Sequence, residues 1–333
     1  MGHRANLVLG NASGYELFYS HWSANTLPSD LFWGPEHAVE FVSKQRRVSV
    51  VDGWLDTIWA EGGAVIDPQE STLLLYGGED LLYDVPLRRL YLQMLGTAWD
   101  NWTIQWAHEG IVDIAEYVGV AREHVIADFD GAHEATPVWD HPRERDWLQC
   151  VATIQIGEEL AIVPLAGRLI EYLLVGPEFV SSASTVESFK TLDVSDWTTE
   201  FPHGGIHVDS NLRQLDFWMA HDCANVLPTV TPKWRDWTLR WHKDRYESHI
   251  ERAAPALKLP QFSPRDLLPR LLTILNHHAK PVDVMGLARI LGGQRGDGVE
   301  VNPFAVRDDR VSVDPSRRKA ILARCVATLD VGD

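Results

Sequence analysis

Trp99-Asp-Asn-Trp102-Thr103-Ile104-Gln-Trp106 returns later in the chain as Trp234-Arg-Asp-Trp237-Thr238-Leu239-Arg-Trp241, three tryptophans and a threonine in one register. The match extends upstream. Gly34-Pro35-Glu36 recurs as Gly176-Pro177-Glu178, and Trp59-Ala-Glu-Gly62-Gly63 as Phe201-Pro-His-Gly204-Gly205, both at an offset of 142. The same offset pairs Asp67 with Asp209, Leu73 with Leu215, Leu75 with Phe217, Tyr76 with Trp218 and Asp80 with Asp222. Seven residues then drop out before the tryptophan segment. Similarity at a fixed period marks a structural unit used more than once, so the first 250 or so residues read as one module present twice.

Hydrophobic periodicity gives the module its elements. Leu7 to Leu9 and Tyr15 to His21 form a strand pair around Asn11-Ala-Ser-Gly14, since Asn and Gly tolerate the positive φ of hairpin turns. Pro35 opens a helix with Ala38, Val39, Phe41 and Val42 on one side. After Gly62-Gly63, Ala64 to Ile66 and Thr72 to Tyr76 make a second hairpin, turning at Asp67-Pro68. Asp84 caps a helix that carries Leu87, Leu90, Tyr91, Met94 and Leu95 at helical spacing. The strand Trp102 to Trp106 follows. A strand, a helix and a strand in that order predict a β-α-β crossover with parallel strands. The fold class expected is therefore α+β: two tandem copies of a small mixed sheet with helices packed on it, related by a pseudo-two-fold, and a small, mostly helical C-terminal unit.

Residues 1–125 are the first repeat, 126–146 a polar, turn-rich linker, 147–255 the second repeat and 256–333 the C-terminal unit. That last part has a helix from Ser263-Pro264 through Leu275 and a second from Val282 to Leu291. Two strand-like runs follow, Val299 to Val306 and Arg310 to Val313, and then a final helix from Pro315 to Leu329. Its charge also sets it apart: residues 261–333 hold eleven basic and nine acidic side chains, whereas residues 1–260 hold 19 and 38.

The chain as a whole carries a net charge of −17, which repels nucleic acid and anionic membrane surfaces. No stretch approaches the about 18 apolar residues of a membrane span, and the N-terminus lacks the apolar run of a signal peptide. Cys150, Cys223 and Cys325 are too few and too far apart for a disulfide framework or a metal-binding spacing, which places the chain in a reducing cytoplasm. No cofactor or metal is signalled. The partner expected is a protein or a small molecule.

A crossover brings the residues that follow its parallel strands to one edge of the sheet, where open α/β sheets hold their ligands. In the first copy that edge carries Glu79, Asp80, Trp106 and His108; in the second, His221, Asp222, Trp241 and His242. A histidine beside a carboxylate can act as a base or a metal ligand, because the carboxylate orients the ring and stabilises its protonated form. These positions also suit ordinary loop and cap residues, and the tryptophans suit shared packing. No Gly-x-Ser-x-Gly elbow, His-Glu-x-x-His helix or phosphate loop is present, and Gly292 to Gly298 is a turn.

The leading expectation is a non-enzymatic binding or regulatory protein with a groove between its two halves for a ligand or partner. A second is a hydrolytic, metal-assisted enzyme using the His and carboxylate edge of one half. A third is a sensor whose C-terminal unit binds DNA as a winged helix through Arg317-Arg318-Lys319.

Overall fold

Both hairpins and the crossover recur in the computed structural model of the chain, which describes residues 3–127, 148–182, 186–276 and 311–329, with 286 and 289. The first half runs β1 (Ala5–Asn11), β2 (Gly14–Ser20), α1 (Leu27–Leu31), α2 (Pro35–Lys44), β3 (Arg46–Val48), β4 (Gly62–Asp67), β5 (Thr72–Tyr76), α3 (Glu79–Tyr83), α4 (Val85–Ala98), β6 (Thr103–Trp106) and α5 (Ile111–Tyr117). The second runs β7 (Cys150–Ile156), β8 (Glu159–Leu165), α6 (Leu169–Val175), α7 (Glu178–Ser182), β9 (Leu192–Asp193), β10 (Gly204–Asp209), β11 (Gln214–Met219), α8 (Val226–Val230), β12 (Thr238–Trp241), α9 (Glu247–Ala253) and β13 (Leu257–Lys258). Helices α10 (Pro264–Asn276) and α11 (Pro315–Ala327) follow.

The two sheets share one topology. The first has the order β3-β2-β1-β4-β5-β6 and the second β12-β11-β10-β7-β8, which read backwards is the first without β3. Register agrees as well. Ala5 lies opposite Gly62 and Cys150 opposite Gly204 in the central parallel pairs. Thr72 lies opposite Thr103 and Gln214 opposite Thr238 in the crossover pairs, which are parallel as the sequence predicts.

Local chemistry explains why these residues repeat. Asp67 and Asp209 close the same hairpin turn, each carboxylate accepting from the backbone N–H groups two and three residues on. Asn101 and Asp236 both sit at φ 64°, a left-handed conformation that Asn and Asp tolerate best among residues with a Cβ. Trp99 and Trp234 are buried and donate their indole N–H to a helix carbonyl, Leu31 O at 2.9 Å and Leu173 O at 2.7 Å. Each meets the next tryptophan edge-on, with ring centroids 4.8 Å apart for Trp99 and Trp102 and 5.1 Å for Trp234 and Trp237. The shared tryptophans are therefore packing residues in both copies.

The Gly-Pro-Glu motif belongs to the same contact. Gly34 and Gly176 have φ of 97° and 82°, backbone that is nearly closed to other residues. A Cβ on Gly176 would lie 2.8 Å from Lys233 O, just before Trp234, whereas one on Gly34 would clear Ala98 O at 3.8 Å. Both alanine variants should cost about 1–3 kcal/mol of strain, with Gly176→Ala the worse. Equal losses in urea denaturation would show that the carbonyl contact is irrelevant.

The chain forms two compact units. One comprises Met1–Glu79, Leu90–Val125 and Pro264–Asp333, the other Asp80–Arg89 and Ile126–Ser263. In the first unit α11 lays Arg318 over the Trp33 ring at 4.4 Å, while Arg317 makes an exposed ion pair with Glu36 at 3.1 Å and Lys319 is exposed. Of the helix expected at 282–291, residues 286 and 289 are described and helical; its other residues, most of the expected linker, the turn at 292–298 and the run at 299–306 fall outside the described residues. Residues 311–313, expected as a strand, have no regular structure, and no described strand pairs with them. No helix among the described residues is long and apolar enough to cross a membrane.

Candidate functional site

The second sheet gathers ionisable side chains at the edge where β7 and β10 begin and β11 ends. Gly204 pairs with Met219 on one side and Cys150 on the other, so the residues flanking these strand ends are neighbours. Two backbone bonds continue the ladder: His203 N donates to Gln149 O and Ala220 N to His203 O, both at 2.8 Å. The resulting cavity is lined by Cys150, Arg168, His203, Met219, His221 and Asp222, among others, and its free volume of about 10 Å³ is that of roughly one water.

Within it, His221 Nδ1 lies 3.2 Å from Asp222 Oδ2, and Arg168 Nη1 reaches the same oxygen at 3.6 Å. Asp222 sits at φ 58°, the turn that swings its carboxylate back toward the ring. Tyr83 stacks edge-on against His221 at 4.4 Å and leans on His203 at 5.1 Å. Burial works against ionisation of Asp222, but the hydrogen bond and charge of His221 and the Arg168 guanidinium outweigh it, so its pKa falls. Burial, then the neighbouring His221, pushes His203 down to about 4, so its ring is neutral at pH 7. Burial also pushes the Cys150 thiol up to about 12, which keeps it protonated and a poor nucleophile.

Comparisons of the chain with protein-family models, with curated proteins and with solved structures found no match.

Of the residues expected at the strand ends, the structure brings His221 and Asp222 together in this cavity. Trp241 and His242 lie elsewhere. Successive strand residues face opposite sides of a sheet: Trp241 packs with Phe217 and Met219, while His242 turns to the other face. There His242 Nε2 donates to Asp216 Oδ1 at 2.7 Å. Asp216, only 3% exposed, also accepts from Gln214 Nε2 and faces Arg252 Nε at 3.3 Å. In the first half, Glu79 and Asp80 are exposed on α3, Trp106 is buried and His108 half-buried.

His203 is absent from the residues expected at the strand ends, although it stands in the repeat opposite Glu61, and that exchange of a carboxylate for an imidazole is the signal that points to it. Arg168, Cys150 and Tyr83 carried no comparable signal, because β7 and β8 lie upstream of the gapless match and Tyr83 belongs to the segment Asp80–Arg89. Among the described residues, no group of three or more His, Cys, Asp or Glu is placed to hold a metal ion.

Proposed function

We propose that the chain is a binding protein whose ligand, a small molecule bearing an anionic group, is held at the strand-end cavity of the second unit without turnover. The observation that carries this reading is a change of charge between matched positions. Where the first half has Glu61, Glu79 and Asp80, the second has His203, His221 and Asp222. Two carboxylates have given way to imidazoles, and Arg168 stands at the rim. The two imidazoles and Arg168 offer donors to an anion, the ionised Asp222 being already paired with His221 and Arg168, and a guanidinium fork suits a carboxylate or phosphate. The cavity has room for about one water, so it takes a single oxygen of the anionic group, and the rest of the ligand lies outside.

Inorganic phosphate is a sufficient probe. Titrated into the full chain and followed by histidine ring NMR, it should shift His221 and His203 saturably. Arg168→Ala and His221→Glu, the latter restoring the residue of the first half, should each weaken the response about tenfold, equivalent to about 1.4 kcal/mol. Absence of a saturable shift in the unmodified protein would refute the proposal. Hydrolysis of p-nitrophenyl phosphate or acetate that disappears in His221→Glu would replace it with the hydrolytic reading, in which the His221-Asp222 pair serves as the base.

A further inference from the structure

The opposite face of the second sheet carries a buried chain of hydrogen bonds with a fixed direction. An indole N–H can only donate, and Trp218 Nε1 on β11 lies 3.4 Å from His249 Nδ1 on α9. His249 must then carry its proton on Nε2, which donates to Thr153 Oγ1 on β7 at 2.8 Å. The threonine hydroxyl in turn donates to His207 Nδ1 on β10 at 2.9 Å. All four side chains are at most 5% exposed.

This arrangement is complete only while His249 is neutral. A second proton on its ring would set N–H against the Trp218 N–H, with no water able to intervene. The ring lies so close to the sheet that a Cβ on Gly205 would be 2.3 Å from Nδ1. His207 has an outlet, because Thr153 can turn its hydroxyl to Ile206 O at 3.4 Å. His249 has none.

The charged groups nearby do not compensate. His207 and Asp209 come from β10, Asp216 from β11, His242 from the residue after β12, Arg252 from α9 itself and Tyr246 from just before it. Asp216 is the carboxylate that would favour a proton on His249, but it is engaged by His242, Gln214 and Arg252. Burial, followed by His207, holds His249 down to about 3, with Asp216 opposing only in part.

The first half supplies an internal control. At the positions matching Thr153, His207 and His249 it has Val8, Val65 and Ile114, all fully buried. One scaffold is thus built with an apolar contact in one copy and a titratable contact in the other, at the same helix-to-sheet junction.

We propose that α9 is a proton-operated latch, in which protonation of His249 releases α9 and the chain behind it, through Leu259, from the second sheet while the sheet itself persists. The released chain includes Ala253, Leu257 and Leu259, which pack against Val151, Ile162, Trp197, Phe201 and Trp218 when docked. The direction follows from linkage. Free of the sheet, His249 takes a proton near its ordinary pKa of 6.5; docked, it does not. The docked state is therefore favoured above pH 6.5 and loses ground about tenfold for each pH unit below it, about 30-fold at pH 5. This inference is independent of the strand-end cavity.

Hydrogen exchange on the full chain at pH 7.5 and 5.0, corrected for intrinsic rates, tests it. Protection of residues 247–259 should fall about 30-fold at pH 5, recover on return to pH 7.5, and leave β10 and β11 protected. His249→Ile, copying Ile114, should abolish the difference. Unchanged protection in the unmodified protein overturns the latch, as does loss of the whole unit together or an equal acid response in His249→Ile. Should His249→Ile not fold, ring NMR of the unmodified protein decides. Separate neutral-docked and protonated-released His249 signals sustain the latch, and a doubly protonated ring with α9 still protected overturns it.

Discussion

Arg88→Ala is expected to destabilise the second unit by about 3–5 kcal/mol, the cost of breaking a buried charge pair. The Arg88 side chain is fully buried. Its Nη1 donates to the carbonyls of Leu81 at 3.2 Å, Leu82 at 3.3 Å and Ala220 at 3.1 Å, and its Nη2 to Asp244 at 2.8 Å. Truncation withdraws every one of these donors from a site that water does not reach, and each deserted acceptor bears its own desolvation cost. Lysine cannot substitute, because a single ammonium lacks the planar fork that reaches several acceptors at once. Arg89 is the control. It pairs with Glu247 and lies 3.7 Å from Asp244, but its side chain is 32% exposed, so Arg89→Ala should cost about 1 kcal/mol or less. Denaturant titrations of the two variants make the comparison, and equal losses would mean that Arg88 is no better insulated than its neighbour.

Trp234→Ala should cost about 3–5 kcal/mol, in the range of large-to-small core replacements. The ring is 1% exposed, sits within the cluster formed by Leu173, Phe179, Val230 and Phe217, and loses its bond to Leu173 O when truncated. Trp234→Phe keeps most of the ring but deletes the donor and should cost about 1–2 kcal/mol. Trp99 has the same environment in the first unit, so Trp99→Ala and Trp99→Phe should repeat the pattern. A large loss at Trp234 beside a negligible one at Trp99 would contradict the equivalence of the two motifs.

How far residues alone reach is visible in these same side chains. Gly34, Gly176, Asn101, Asp236, Asp67 and Asp209 each answer a local backbone demand, and local demands leave marks that a repeat makes readable. The crossover was legible for the same reason: a capped helix at Asp84 separates two apolar strands. What could not be read was which face a strand residue takes and whom it meets there. Every residue of β11 is buried, so the polar and apolar alternation of Gln214 to Phe217 reads as one solvent-facing side, whereas Gln214 and Asp216 are enclosed with Trp218. His242 thus finds its carboxylate in Asp216, 26 positions back, rather than in Asp244 two positions on, and Asp244 turns to Arg88. Such long-range pairings are set by tertiary packing, which spacing does not encode.

The assignment of Asp80–Arg89 to the second unit bears on how the molecule can be dissected. A fragment started after residue 125 would hold all five strands of the second sheet yet forfeit Tyr83, Val85 and Arg88, leaving Ala220 O and Asp244 without the guanidinium that joins them. Truncation at the tandem boundary suggested by the repeat therefore yields an incomplete half, which a peptide covering residues 80–89, supplied in trans, would have to complement.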